Sequence, residues 1–228
     1  MTLGIVILTG AGISAESGLA TFGGPDGLWE GHRITQVATA EAFATNPRVV
    51  QRFHNGLRRQ LNEAQPNAAH AALARLEREL GPDNVHLVTQ NIDDLHQRAG
   101  STAITAMHGE LRQIRHVATG EVRAWTHDMP EADTTWRPNV VWFGEQTIGL
   151  ADVAEKLSTA GMFVAIGTSG TVYPANQFAA IAKAAGAITL EINIAPTNAP
   201  FDRRLLGPAT DHVPPLVDRF VQCYKHVR

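Results

Sequence analysis

The stretch that decides the fold is Gly4-Ile-Val-Ile-Leu-Thr-Gly-Ala-Gly-Ile-Ser-Ala-Glu-Ser-Gly18. Its apolar run from Ile5 to Leu8 breaks into Gly10-Ala11-Gly12, and then into Ser14, Glu16 and Ser17. That order predicts a buried parallel strand, a turn without bulky side chains and the start of a helix. Glycines there let a phosphate approach the backbone, and the unbonded N–H groups of a helix start favour an anion. The spacing, Gly-x-Gly followed by Ser-x-x-Ser-Gly, is a variant of the dinucleotide fingerprint. Taken alone it leaves open both a nucleotide site and an ordinary strand-to-helix turn.

Working outward, strand character returns at residues 85–89, 140–144, 162–166 and 188–192. Helical patterns alternate with these runs, which predicts an α/β fold with a doubly wound parallel sheet. Residues 31–80 carry no strand signal and read as an inserted helical module. Pro47 opens one helix, with Val49, Val50, Phe53, Leu57 and Leu61 at helical spacing, and a second starts after Asn67 and stops at Gly81-Pro82. An Ala-rich helix is expected over 174–185 and a last amphipathic helix over 214–227. Three glycines and a proline within residues 19–29 argue for a loop, read either as a lid on the phosphate turn or as a solvated connector.

The 228 residues suffice for one domain with an inserted module, and the 44 % hydrophobic and 18 % charged content is ordinary for a soluble enzyme. A net charge of −3 without a long basic run argues against a nucleic-acid partner. No apolar stretch approaches the roughly 20 residues of a membrane span. The apolar N-terminal run is too short and lacks the basic flank of a signal peptide, so the expectation is a cytoplasmic protein with no membrane partner. The lone cysteine, Cys223, excludes an internal disulfide framework.

Five further motifs follow in order: Thr89-Gln-Asn-Ile-Asp-Asp-Leu-His96, Met107-His-Gly-Glu110, Val141-Trp-Phe-Gly-Glu145, Gly167-Thr-Ser169 and Glu191-Ile-Asn193. With the opening GAGISAESG, they resemble the motifs of the sirtuins, the NAD-dependent protein deacylases, over residues 3–210. The resemblance implies a single catalytic domain over 1–228, with NAD as cofactor and acylated lysine of a protein or peptide as substrate. It assigns the cofactor to Gly10, Ala11, Gly12, Ile13, Ser14, Glu16, Phe22 and Trp29 near the N-terminus. Further along it adds Gln90, Asn91, Ile92, Asp93, Gly167, Thr168, Ser169, Asn193, Ile194 and Ala209. Gln90 and Asn91 would hold the ribose, Asp93 the nicotinamide carboxamide and Phe22 the nicotinamide end.

His108 is implied as the catalytic base, with Asn91 and Asp93 beside it; a histidine of unperturbed pKa near 6.5 suits that work. By the same resemblance Val141, Trp142, Phe143, Gly144 and Glu145 border the acyl-lysine tunnel, their edge pairing with the substrate backbone. The implied reaction moves the acyl group to ADP-ribose and releases nicotinamide. ADP-ribosyl transfer to protein and plain NAD hydrolysis need only the first cleavage and stand as the alternative. A non-catalytic NAD sensor is a third reading, weakened by the intact Asn91, Asp93 and His108.

The sequence departs from the sirtuin pattern at three places. Gly23 follows Phe22 where the family commonly carries an arginine that contacts the cofactor. Residues 111–138 contain no cysteine where sirtuins usually insert a zinc module with two Cys pairs. His116, His127, Asp128 and Asp133 show no pairing pattern, so a reduced, metal-free hairpin is expected, packed on Trp125 and Trp136. The motifs look like the bacterial branch of class III sirtuins, which place Tyr and Arg three residues apart to grip succinyl-lysine. Here those positions hold His54 and Leu57, expected to face a wider, more apolar acyl pocket, with Arg58 as a residue that could swing in to recognise an acid.

Overall fold

The computed structural model describes residues 4–21, 28–29 and 31–227. Phe22, Gly23 and Gly24, and the expectations placed on them, lie outside the described residues. The chain opens with β1 (Ile5–Thr9), the single-turn α1 (Gly12–Ala15) and an antiparallel pair of two-residue strands, β2 (Leu28–Trp29) and β3 (His32–Arg33). Four helices follow: α2 (Ile34–Val37), α3 (Ala40–Thr45), α4 (Pro47–Glu63) and α5 (Ala68–Leu80). Then come β4 (Val85–Thr89), α6 (Leu95–Ala99), β5 (Ile104–Ala106), β6 (Gly109–His116), β7 (Val122–Ala124) and β8 (Trp136–Val140). The chain finishes with α7 (Leu150–Thr159), β9 (Met162–Ile166), α8 (Phe178–Ala184), β10 (Ile188–Asn193), β11 (Arg203–Leu206) and α9 (Ala209–Val227).

Six strands form one sheet in the order β11-β10-β9-β1-β4-β5, every neighbouring pair parallel. The central β1 is buried at every residue, as a parallel strand covered on both faces must be. On one face Ile5, Ile7, Val164 and Leu190 pack against Leu73 and Leu76 of α5 and Val213 and Val217 of α9. On the other, Val6, Leu8, Phe163 and Ala165 meet Val153 and Leu157 of α7 and Phe178 and Ala182 of α8. The doubly wound sheet is as expected.

Residues 31–80 divide differently from the expected insertion. α5 is a layer of the sheet domain, because Ala69, Ala72, Leu73, Leu76 and Leu80 all lie in the sheet's own core. α2, α3 and α4 build a separate cluster in which Val37, Phe43, Val50 and Phe53 surround Val140 and Trp142. Local signals explain the boundaries. Asn46 accepts a hydrogen bond from Val49 N, with Pro47 at the first turn of α4. Asn67 and His70 close a capping box on α5. α9 begins at Ala209 rather than 214, and the Glu16 carboxylate caps it by accepting from Thr210 N (3.0 Å) and Thr210 Oγ1 (2.7 Å).

Segment 111–138 is a three-stranded antiparallel sheet in the order β7-β6-β8, containing the expected hairpin. Its expected core does not form: Trp125 and Trp136 are only half-buried, and Trp136 lies under Arg123, whose Cζ is 4.6 Å from the ring centroid. Buried Met129 and a polar ladder from α4 hold the segment instead. Asn55 Nδ2 donates to Met129 O and Asn55 Oδ1 accepts from Met129 N, both at 2.8 Å. Gln51 Nε2 donates to Asp133 O (3.1 Å) and Trp136 O (2.7 Å). Gln51 and Asn55 lie one turn apart on one helix face. The expected strand over 140–144 also ends early: β8 stops at Val140, and Val141 to Phe143 run on outside the sheet, bridged to Thr39 at Phe143.

Candidate active site

A cavity of about 720 Å³ opens at the carboxyl ends of β1, β4, β9 and β10, where open α/β sheets place their ligands. At its floor two turns interlock. A Cβ on Gly10 would lie 2.7 Å from Gly167 O, and one on Gly12 would lie 2.6 Å from Gly167 Cα. Glycine is therefore demanded by the contact between the β1 and β9 turns. Of the N–H groups in the first turn, those of Gly10, Gly12, Ile13 and Ser14 donate to Ile166, Gly167, Gly10 and Ala11 carbonyls.

The polar side chains around this floor are pre-ordered. Ser14 Oγ donates to Asp93 Oδ2 (2.8 Å), while Asn91 Nδ2 donates to Ser14 Oγ (3.1 Å) and Gly10 O (3.2 Å). Asp93 Oδ1 accepts from Leu95 N (3.1 Å), joining the carboxylate to the start of α6. Burial pushes the Asp93 carboxyl above its ordinary value, against these two hydrogen bonds. Gln90 Nε2 donates to Thr168 Oγ1 (3.1 Å), and Asn193 Nδ2 donates to Thr168 O (2.8 Å). Strands β4, β9 and β10 thus meet through polar tips.

His108 sits between β5 and β6. Its Nδ1 lies 2.7 Å from Gln90 O, an atom that can only accept, so Nδ1 carries the proton and Nε2 keeps its lone pair. Burial lowers the pKa of the ring despite that hydrogen bond, so the imidazole is neutral at pH 7. Gly109 follows at φ +78°, where a Cβ would meet Asn139 O at 2.1 Å, so glycine is required at this crossing of β6 and β8. His108 O accepts from Val141 N (2.8 Å), tying this histidine to the next wall.

That wall runs from Val141 to Glu145. Arg137 clamps it: Nη1 and Nη2 donate to Glu145 (2.5 and 3.0 Å), and the guanidinium lies 3.3 Å over the Trp142 ring. Glu145 Oε2 in turn accepts from Trp142 N (2.9 Å), and Phe143 N donates to Ala38 O (3.0 Å). Val141, Trp142 and Phe143 N–H groups are all engaged within the chain.

Most sequence-expected residues line the cavity: Gly10, Ala11, Gly12, Ser14, Glu16, Trp29, Gln90 to Asp93, His108, Val141 to Glu145, Gly167 to Ser169, Asn193, Ile194, Ala209 and Leu57. Two do not. Ile13 is fully buried among the sheet-core residues, because it fills the space beneath the turn. His54 is fully buried behind the wall, with Trp29, Phe53 and Trp142 rings around it. Glu16 lines the cavity, but its carboxylate is occupied as the α9 cap. Arg58 is also buried and does not swing in: Nε donates to Leu111 O (3.0 Å) and Nη1 to Asn55 Oδ1 (2.8 Å).

Sequence reading missed the polar layer beneath the site. Thr9 Oγ1 bonds Thr89 Oγ1 (2.9 Å) and His96 Nε2 (3.0 Å), and the His96 and His70 rings lie 4.8 Å apart. His70, at the third position of a capping box, was the one member with a readable local signal. Gln60, Tyr173 and Pro208 also line the cavity without any motif to announce them.

Among the described residues no three His, Cys, Asp or Glu side chains gather to hold a metal ion. In the hairpin module Asp128 pairs with Arg59, Asp133 accepts from Thr135 N and Trp136 N, and His116 Nδ1 accepts from Thr119 N.

A doubly wound sheet with a cavity and a neutral histidine at the carboxyl ends of its strands is the arrangement of Rossmann-type nucleotide-binding enzymes. The Sir2 family profile matches residues 10–174, and the chain belongs to the Sir2 family. It is 50 % identical, over 96 % of its length and 84 % of the relative's, to an NAD-dependent protein deacylase of Salmonella typhimurium. A protein of the same description from Escherichia coli K12 is 48 % identical over 97 % of this chain and 83 % of its own. A solved Sir2 homologue–NAD complex superposes with a TM-score of 0.87 at 36 % identity, covering 96 % of this chain and 90 % of the other. No helix among the described residues is long and apolar enough to cross a membrane.

Proposed function

We propose that His108, Asp93 and the Val141–Glu145 wall carry the deacylase chemistry of this chain. The protein is an NAD-dependent protein deacylase, acting on acylated protein or peptide and using NAD as co-substrate. When bound, NAD supplies the ribosyl carbon that takes the acyl oxygen as nicotinamide leaves. The chain supplies the rest. Asp93, held by Ser14 and the start of α6, presents a fixed carboxylate suited to an amide N–H, such as the nicotinamide carboxamide. Asn91 and Gln90 offer polar groups for a ribose at the end of β4.

His108 Nε2, with its lone pair free, is the acceptor for a ribose hydroxyl proton, and the Gln90 carbonyl stabilises the imidazolium as it forms. The single observation that carries this reading is the Nδ1–Gln90 hydrogen bond, which fixes the tautomer a general base needs. The 141–145 wall, braced by Arg137, lies beside His108 and suits an acyl-lysine. The test is incubation with NAD and an acetyl-lysine peptide. Free nicotinamide and deacylated peptide in equal amounts are expected; nicotinamide without deacylated peptide would favour NAD hydrolysis or ADP-ribosyl transfer.

A further inference from the structure

The chain enters the cavity wall twice at widely separated points. The first turn lines it with Gly10, Gly12 and Glu16, and the turn after β11 lines it with Gly207, Pro208 and Ala209. One side chain joins these two walls. Glu16 Oε2 accepts from Thr210 N (3.0 Å) and Glu16 Oε1 from Thr210 Oγ1 (2.7 Å), 194 residues along the chain.

The sheet order says which part of the cofactor this tie serves. Asp93 and His108 follow β4 and β5, whereas Asn193 ends β10 and the 207–209 turn follows β11. In the order β11-β10-β9-β1-β4-β5, β10 and β4 stand three spacings apart, about 14 Å at the usual ~4.8 Å per strand. With the nicotinamide at Asp93 and His108, as read above, the adenosine falls at the ends of β10 and β11. The 207–209 turn is then its wall. Asn193 O holds that turn from the β10 side by accepting from Gly207 N (2.9 Å), and Glu16 holds it from the side of α1.

Charge favours the same reading. An unpaired carboxylate on the wall would repel an anionic dinucleotide, whereas on the first turn of α9 its charge is offset by the helix end. Thr210 lies outside the cavity lining, so anything it does to the cofactor passes through the turn before it. We propose that Glu16 is a positioning residue for the adenosine side of NAD, acting through Thr210. Its two hydrogen bonds hold the 207–209 turn in place against the first turn. They set cofactor affinity and leave the reacting end at Asp93 and His108 alone. This rests on the NAD reading above.

The test measures ADP-ribose affinity by titration calorimetry, with KM for NAD and kcat on an acetyl-lysine peptide. It compares the wild type with Glu16→Ala, Glu16→Gln, Thr210→Val and the double variant Glu16→Ala/Thr210→Val. Glu16→Ala should weaken ADP-ribose and raise KM for NAD about three- to tenfold, the scale of a net hydrogen bond, with the effect on KM rather than kcat. Thr210→Val, which keeps its N–H, should lose about two- to fourfold, and the double variant should be no weaker than Glu16→Ala. Glu16→Gln can keep both hydrogen bonds, Oε1 accepting and Nε2 donating, and should stay within about twofold of wild type. Wild-type affinity in Thr210→Val, or additive losses in the double variant, would mean that Glu16 does not act through Thr210 and would overturn the proposal. So would unchanged affinity in Glu16→Ala, or a loss confined to kcat. Should Glu16→Ala not fold, Thr210→Val and Glu16→Gln decide. A wild type that binds no ADP-ribose removes the NAD reading, and the proposal with it.

Discussion

The cofactor half and the acyl half of this molecule are built on opposite principles. Around Ser14, Asn91, Asp93 and His108 each side chain is hydrogen-bonded to a neighbour or to the backbone, so it is held before any ligand arrives. Around α4 and the 137–145 wall, one buried polar atom each of His54, Arg58, Arg137 and Trp142 has no partner among the described residues. The first region is suited to one rigid ligand. The second has unspent hydrogen-bonding capacity, and it coincides with the positions where the sequence departs from the sirtuin pattern.

The comparison breaks most visibly if the cofactor half can be altered without consequence. His108→Ala should retain the fold and lose about 10²–10⁴-fold in deacylation. Because burial holds His108 below its ordinary value, the acid limb of kcat/KM should fall below pH 6.5. A variant within a few-fold of wild type, or a limb at higher pH, removes the base assignment.

Next in size is the α4 ladder. Asn55→Leu strips partners from Met129 N, Met129 O and the buried Arg58 together. The expected loss is about 3–5 kcal/mol in denaturant unfolding, since a buried cation and two backbone groups go unpaired. A loss below ~1 kcal/mol would mean the hairpin module stands on other contacts.

Acid sharpens the contrast between the halves. His54, His70 and His96 have folded pKa values lowered by burial to about 3, 4 and 3. The neutral form is the folded one, so stability is complete above pH 6.5 and is lost as pH falls from there towards the folded values. At pH 5 each histidine should cost on the order of 2 kcal/mol. Unfolding curves at pH 7 and 5 check this, and His54→Phe should remove the acyl half's share. Equal stability at the two pH values would contradict it.

The smallest effect expected is none. With no thiolate set and its carboxylates already engaged, the hairpin module should leave the protein's melting temperature unmoved by chelators. One tightly held zinc per chain, found by elemental analysis, would refute that.

The legibility of the two halves in the sequence differs for the same physical reason. Strands and cofactor residues were readable because a buried parallel strand is a continuous apolar run and its polar tips follow at once, as in Val85–Thr89 leading to Asn91 and Asp93. The helix starts were readable from Asn46-Pro47 and Asn67. What holds the hairpin module was not, because Gln51 and Asn55 reach backbone carbonyls and amides more than 70 residues away, and no local pattern encodes that. The tryptophans drew attention by size, yet it is Met129 that is buried. Ile13 and His54 were misplaced for a related reason: a motif position gives the residue's neighbourhood, not the direction of its side chain.

The most direct measurement of the contrast between a kept cofactor half and a remodelled acyl half is kcat/KM for acetyl- against succinyl-lysine on one peptide. Leu57 lines the pocket in place of an arginine, and Arg58 is tied to Leu111 O and Asn55 Oδ1. A succinyl carboxylate therefore lacks a charged partner worth ~1.5–3 kcal/mol, and acetyl should win by about tenfold or more. Succinyl-lysine as the better substrate would contradict the account, and would turn attention to Arg58 Nη2, which has no partner among the described residues.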